Sequence, residues 1–225
     1  MNAGIARIED NKIFLGVDAT KIADYRGASQ VLHGRESVRL ESKETWSSGI
    51  MIADVEHMPG TTCGVWPALW SYNNSEDPVG EIDLVEGINV QDSNVVDGCG
   101  STMPLGSYGK GFNDGAGGIF AIWLLSDALN VYWWKRDAVP ADVLAASPDP
   151  NTWGTPTAQF LSGDGCRIIN TAFCGENIPQ SVWEESCLAS TGFQTCDDYV
   201  TQNPEAFADS YWLFNSIKVY DTVDA

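Results

Sequence analysis

Apolar and polar positions along this chain of 225 residues follow a short period rather than a helical one. Segments 12–17, 37–41, 49–55, 81–85, 119–125, 129–135 and 216–220 are brief, rich in β-branched and aromatic residues, and bounded by Gly, Pro, Asn, Asp and Ser. Each is predicted to be a strand. Long amphipathic helical patterns are scarce. The best of them begins at Asn203, a candidate N-cap, with Pro204 at the first helical position and Glu205 near the positive end of the dipole. Gly-rich 109–118 is expected to be a surface loop. Many short strands separated by turn signals predict an all-β fold, an antiparallel β-sandwich. With no internal repeat or low-complexity linker, residues 1–225 are expected to form one domain.

One strand breaks the pattern. In Gly80-Glu81-Ile82-Asp83-Leu84-Val85-Glu86-Gly87 three carboxylates alternate with residues that otherwise belong in a core. Side chains of a regular strand alternate faces, so Glu81 and Asp83 share one face and Glu86 points to the other. A single β-bulge around Leu84-Val85 restores the phase and projects all three acids from one side. Three carboxylates so placed cannot all ionise freely, so a proton is expected to be held among them. A retaining glycosidase needs that division: one carboxylate that attacks, and one carboxyl group about 5.5 Å away that delivers a proton. Spacing alone leaves two other possibilities open, a solvated acidic edge strand and a carboxylate site for a metal such as calcium.

Composition narrows the partners. Twelve Lys and Arg stand against 31 Asp and Glu, a formal net charge of -19, which repels nucleic acid and anionic membrane surfaces. A neutral polysaccharide meets no such penalty. The even set of Cys63, Cys99, Cys166, Cys174, Cys187 and Cys196 contains no Cys-x-x-Cys pair and only two histidines accompany it, so disulfides, two or three of them, are expected rather than zinc. Residues 1–7 lack the basic start and apolar run of a signal peptide, and no apolar stretch approaches membrane-spanning length. Neither a Gly-x-Ser-x-Gly pentapeptide nor a dinucleotide or phosphate loop is present.

Glu81-Ile82-Asp83-Leu84-Val85-Glu86 resembles the signature of glycoside hydrolase family 16, in the bulged form of laminarinases and endo-1,3(4)-β-glucanases. The likeness extends to Gly49-Ile50-Met51-Ile52-Ala53-Asp54-Val55-Glu56-His57-Met58-Pro59-Gly60, Gly64-Val65-Trp66-Pro67-Ala68-Leu69-Trp70, Asn151-Thr152-Trp153-Gly154-Thr155-Pro156, Phe173-Cys174-Gly175, and the tail from Cys196 to Tyr220. The resemblance implies a curved jelly roll of the concanavalin A-like kind with an open cleft on its concave face. It further implies Glu81 as nucleophile, Asp83 as helper and Glu86 as acid/base, acting with retention on internal bonds of β-1,3 or mixed-linkage glucans. An extracellular monomer that needs no cofactor and no metal is expected.

Among nine tryptophans, Trp66, Trp70 and Trp153 are the candidate sugar platforms, Trp70 foremost. Trp133 and Trp134 are adjacent and must face opposite sides of a regular strand. His33 and His57 are assigned no role in the chemistry. The chain also departs from the family: Asp77-Pro78 stands where fungal relatives carry a tryptophan before the proline. Two stretches are expected to be shortened, one after Val96 that in relatives bears a histidine-threonine pair, and one between Cys166 and Arg167. One or two strands of the sandwich are therefore expected to be missing, which admits an alternative: a catalytically weakened or inactive glucan-binding relative.

Overall fold

The computed structural model describes residues 4–23, 34–46, 48–72, 81–91, 103–160, 166–176 and 178–221. Two antiparallel sheets face each other. The larger has seven strands in the order β1-β2-β11-β4-β7-β8-β9, formed by β1 (Ala6–Glu9), β2 (Lys12–Leu15), β4 (Gly49–His57), β7 (Gly118–Leu124), β8 (Leu129–Lys135), β9 (Ala158–Phe160) and β11 (Trp212–Tyr220). The smaller has four in the order β3-β10-β5-β6, formed by β3 (Arg39–Glu41), β5 (Val65–Tyr72), β6 (Glu81–Glu86) and β10 (Cys166–Phe173).

The main core lies between the sheets. Met51, Ala53 and Val55 of β4, Phe120 and Ile122 of β7, and Trp212 and Phe214 of β11 meet Leu69 of β5, Leu84 and Val85 of β6, and Ile169 of β10. Each such side chain contributes about 1.5–3 kcal/mol on burial. The other face of the large sheet is covered as well. Ile50, Ile52, Ile119, Ala121 and Tyr132 pack under Val143 and Trp153. That second layer explains why β7 and the first five residues of β4, 49–53, are continuous apolar runs with no alternation: both their faces are dry. Trp133 packs toward the main core and Trp134 toward the second layer, as neighbouring strand positions must.

A small helical cap closes one end. Helices α2 (Gln180–Ser186), α3 (Leu188–Thr191) and α4 (Cys196–Gln202) and a 3-10 turn over Pro204–Phe207 bury Trp183, Val200 and Phe207 against Val65. Disulfides Cys63–Cys187 and Cys174–Cys196 tie this cap to the start of β5 and the end of β10. Cys99 and the side chain of Cys166 fall outside the described residues.

Two sequence expectations need correction here, and one strand lies where the sequence predicted none. The segment from Asn203 forms one 3-10 turn, and Asn203 does not cap it; its amide donates to the Tyr199 carbonyl at 2.9 Å and finishes α4 instead. Residues 109–118 are not a surface loop, because Gly109–Asp114 forms helix α1 with Phe112 fully buried, and Gly118 opens β7. Cys166–Phe173 is a continuous strand pairing β5 along its full length, in a region not read as a strand from sequence. Among the described residues, β6 ends the four-stranded sheet, and no helix is long and apolar enough to cross a membrane.

Candidate active site

The pairing of β6 with β5 settles where the three carboxylates point. Tyr72 lies opposite Glu81, Ser71 opposite Ile82 and Trp70 opposite Asp83; the register then shifts, so that Leu69 faces Val85 and Ala68 faces Glu86. Leu84 is the extra residue of a β-bulge, located where the sequence called for one. Both Leu84 and Val85 are fully buried in the core between the sheets. Residues opposite one another in an antiparallel ladder share a face. Glu81, Asp83 and Glu86 therefore stand on the side of the small sheet turned away from the core, beside Tyr72, Trp70 and Ala68. Four strand steps separate the positions opposite Glu81 and Glu86, about 13 Å between Cα atoms, a gap that two long side chains must close.

The surroundings of the acids differ. Glu81 is exposed, whereas Asp83 and Glu86 are half-buried. The indole N–H of Trp66, two positions beyond Ala68 on β5, donates to Glu86 Oε1 at 2.8 Å. Behind this end of the strand lies Tyr108, fully buried and, among the described residues, with no hydrogen-bond partner for its hydroxyl. Burial, and secondarily the negative charge of Glu86, push the Tyr108 hydroxyl far above the ordinary phenol range. Its ring is pressed so closely on Gly87 that a Cβ there would lie 2.3 Å from Tyr108 Cζ.

Across the sheet, the Trp70 indole N–H donates to Asn170 Oδ1 at 2.7 Å, and the Arg39 guanidinium sits 5.3 Å from the Trp70 ring centre. Tyr72 lies 5.5 Å from Trp70, centre to centre, and its hydroxyl donates to Glu41 Oε1 at 2.6 Å. Arg39, Asn170, Ala68 and Glu86 form one row, each paired with the next across adjacent strands. Such a floor offers an aromatic plate, hydrogen-bonding groups of both kinds and a line of carboxylates, which together suit a polyhydroxylated chain.

Of the residues named from sequence, Glu81, Asp83, Glu86, Trp66 and Trp70 come together on this face. Trp153 does not. It is 5% exposed in the layer over the far face of the seven-stranded sheet, edge-on to Tyr132 and Trp134, with its N–H donated to Asp142 Oδ2 at 2.8 Å. The segment bearing it is the lid that keeps the second face of β4, β7 and β8 dry, so the ring serves packing. His57 stacks on Tyr211 at 3.9 Å and is likewise remote from the acids in the sheet order. His33, Asp77-Pro78 and the stretch after Val96 lie outside the described residues. Sequence reasoning missed Arg39, Glu41, Tyr72 and Asn170. The alternation Arg39-Leu40-Glu41 marked a strand, but nothing local stated which strand it would neighbour. Among the described residues no group of three or more His, Cys, Asp and Glu side chains is placed to hold a metal ion.

Comparison with known proteins agrees with this geometry. The family model described as XgeA-like, catalytic GH16 domain matches in two segments, residues 2–97 and 92–220. An endo-1,3(4)-beta-glucanase of Arthroderma benhamiae is 35% identical over 260 aligned positions, covering 95% of this chain and 55% of that protein. A probable endo-1,3(4)-beta-glucanase of Aspergillus fumigatus is 33% identical, covering 97% of this chain and 39% of that protein. This chain thus spans about half or less of the length of these relatives. The aligned stretch is also longer than the chain itself, so the relatives carry internal residues that this chain lacks. Among solved structures, an elongating family 16 β-1,3-glucosyltransferase superposes with a TM-score of 0.86 at 29% identity, covering 97% of this chain and 86% of that one. Laminarinase 16A from Phanerochaete chrysosporium, solved with 6-O-glucosyl-laminaritriose in donor and acceptor sites, gives 0.85 at 30% identity, covering 96% and 86%. The bulged acidic strand, the two-sheet frame that carries it and the family match along nearly the whole chain place this protein in glycoside hydrolase family 16, with the XgeA-like catalytic domains.

Proposed function

We propose that this chain is an extracellular retaining endo-hydrolase of β-1,3 or mixed-linkage β-1,3/1,4 glucans, with Glu81 as nucleophile, Glu86 as general acid/base and Asp83 as the group between them that tunes the pair. The observation that carries this is the bulge at Leu84, which brings three carboxylates to one open face beside Trp70. Exposed Glu81 suits an ionised attacker; half-buried Glu86, held by Trp66, suits a group that gives up and regains a proton. The names of the relatives supply the substrate class, and two disulfides fit an oxidising compartment.

In the first step Glu86 protonates the departing glucan oxygen while a Glu81 oxygen bonds to the anomeric carbon. In the second, Glu86 takes a proton from water, the water oxygen bonds to that carbon, and the bond to Glu81 breaks. The product keeps the β configuration. Reducing-sugar release from a β-1,3-glucan and a mixed-linkage glucan, with proton NMR of fresh product, tests this: the β anomer is expected first. An α anomer appearing first means inversion and a wrong role for Glu81.

A second reading has its own support. Relatives carry residues absent here, and the family match breaks at residues 92–97, a few positions after the catalytic strand. A glucan-binding protein with little turnover fits that shortening. Glucan retained by the chain in a pull-down assay, with no reducing ends released, selects it over the hydrolase.

A further inference from the structure

Trp66 was named from sequence as a sugar platform, yet its surroundings describe another task. Its N–H is committed to Glu86 Oε1 at 2.8 Å. The ring packs against the core of the helical cap, and Gly175 passes beside it: a Cβ at that glycine would sit 3.6 Å from Trp66 Cζ3. With φ of +83°, Gly175 adopts a conformation that favours glycine, so backbone can lie close to the ring. The chain is braced on both sides of this contact. Cys63, three residues before Trp66, and Cys174, next to Gly175, each form a disulfide to the cap. Trp70, by contrast, donates to Asn170 and keeps company with Tyr72 and Arg39 on the open floor.

Resting on the proposed retaining mechanism, we infer that Trp66 is the positioning residue of the acid/base: its indole N–H holds the Glu86 carboxyl group in the orientation from which it exchanges its proton. Indole nitrogen is a donor only. It can therefore face only an oxygen that accepts, and Oε1 is that oxygen. Loss of this bond would leave the carboxyl group a wider choice of rotamers. The disulfide-braced cap keeps the indole still, and the indole in turn keeps the carboxyl group still.

Replacement of Trp66 by Phe keeps most of the ring and removes the donor. On a β-1,3-glucan, whose leaving group needs the proton, kcat/KM is expected to fall about 10–100-fold, part of the range general acid catalysis supplies. On a 2,4-dinitrophenyl β-laminaribioside, whose leaving group departs without protonation, kcat/KM is expected to stay within about threefold, because it reports only the first step. The Trp66→His variant, which restores an N–H on a smaller ring, is expected to recover part of the glucan rate even though it packs less well. Equal losses on both substrates through a raised KM would make Trp66 a sugar platform and overturn the inference. Equal losses with a lowered melting temperature, and no recovery in Trp66→His, would make it a packing residue and also overturn it. A wild-type chain that cleaves neither substrate overturns the hydrolase reading itself and this inference with it, an outcome separate from the other two.

Discussion

Of the three tryptophans grouped by the sequence as sugar platforms, Trp66, Trp70 and Trp153, the last two lie on opposite sides of the sandwich, and their neighbours show why. Trp70 extends from a strand whose outer face is open. Trp153 comes from the segment that covers the large sheet, where Asp142 receives its N–H. Burial works against the Asp142 carboxylate, but hydrogen bonds from the Asp149 amide and Trp153 outweigh it, so its pKa falls below the ordinary 3.8. A depressed carboxyl pKa contributes stability that is present above the unfolded value and is lost as pH falls through the folded one. Trp70→Ala is expected to raise KM for glucan about tenfold, the loss of roughly one stacking contact, with little change in melting temperature. Trp153→Phe is expected to leave KM unchanged, to lower the melting temperature at neutral pH, and to flatten its decline below about pH 4. Thermal melts across pH 2.5–7 beside steady-state kinetics check both, and a raised KM in Trp153→Phe would return that residue to the cleft.

At the scale of the element, the acidic strand β6 depends on what lies behind its end. Gly87 follows Glu86 directly and has no room for a side chain: a Cβ would meet Tyr108 Cζ at 2.3 Å and Oη at 2.7 Å. Tyr108 is wholly enclosed and cannot swing aside. Gly87→Ala is expected to cost about 1–3 kcal/mol, as overpacked cores do, and to displace Glu86 from Trp66. Denaturant unfolding of Gly87→Ala, Tyr108→Leu and the double variant measures it: the double variant should lose less than the sum of the singles. Strict additivity would mean that the contact carries no strain. The same strand shows how far a sequence pattern reaches. The phase break between Asp83 and Glu86 was visible because two acids and two apolar residues cannot otherwise all find suitable faces. The partner strand was not, since Val65–Tyr72 carries Pro67 and two tryptophans and was noticed for its aromatics rather than its pairing.

For the whole molecule, the bridges carry more than their own share of stability. Cys63–Cys187 spans 124 residues of sequence and Cys174–Cys196 spans 22, and together they hold the cap against the end of β5 that presents Trp66. Removal of the longer bridge by Cys63→Ala with Cys187→Ala is expected to lower unfolding free energy by about 2–5 kcal/mol. Glucan hydrolysis should fall further than cleavage of the dinitrophenyl substrate, because the loosened part carries Trp66, which holds the proposed acid/base Glu86. Urea unfolding with the two assays checks this, and an unchanged midpoint would show that the cap is held by Trp183, Val200 and Phe207 alone.

Local chemistry was enough to determine the class of fold and the bulge that turns three acids to one face, because strand periodicity and the cost of burying charge act between residues a few positions apart. Segments 12–17, 49–55, 119–125 and 129–135 follow from the same short-range rules and all became strands. Partners across the sheet are set by contacts between distant stretches of chain. Arg39, Asn170 and Tyr72 share a face with the acids only because β3, β10, β5 and β6 lie side by side. Trp153 left the site for the same reason, its segment being needed to cover the second face of the large sheet. The role inferred for Trp66 also belongs to the tertiary structure: the sequence marks an aromatic residue near the site, and only folding decides whether its ring meets sugar or its N–H meets a carboxylate.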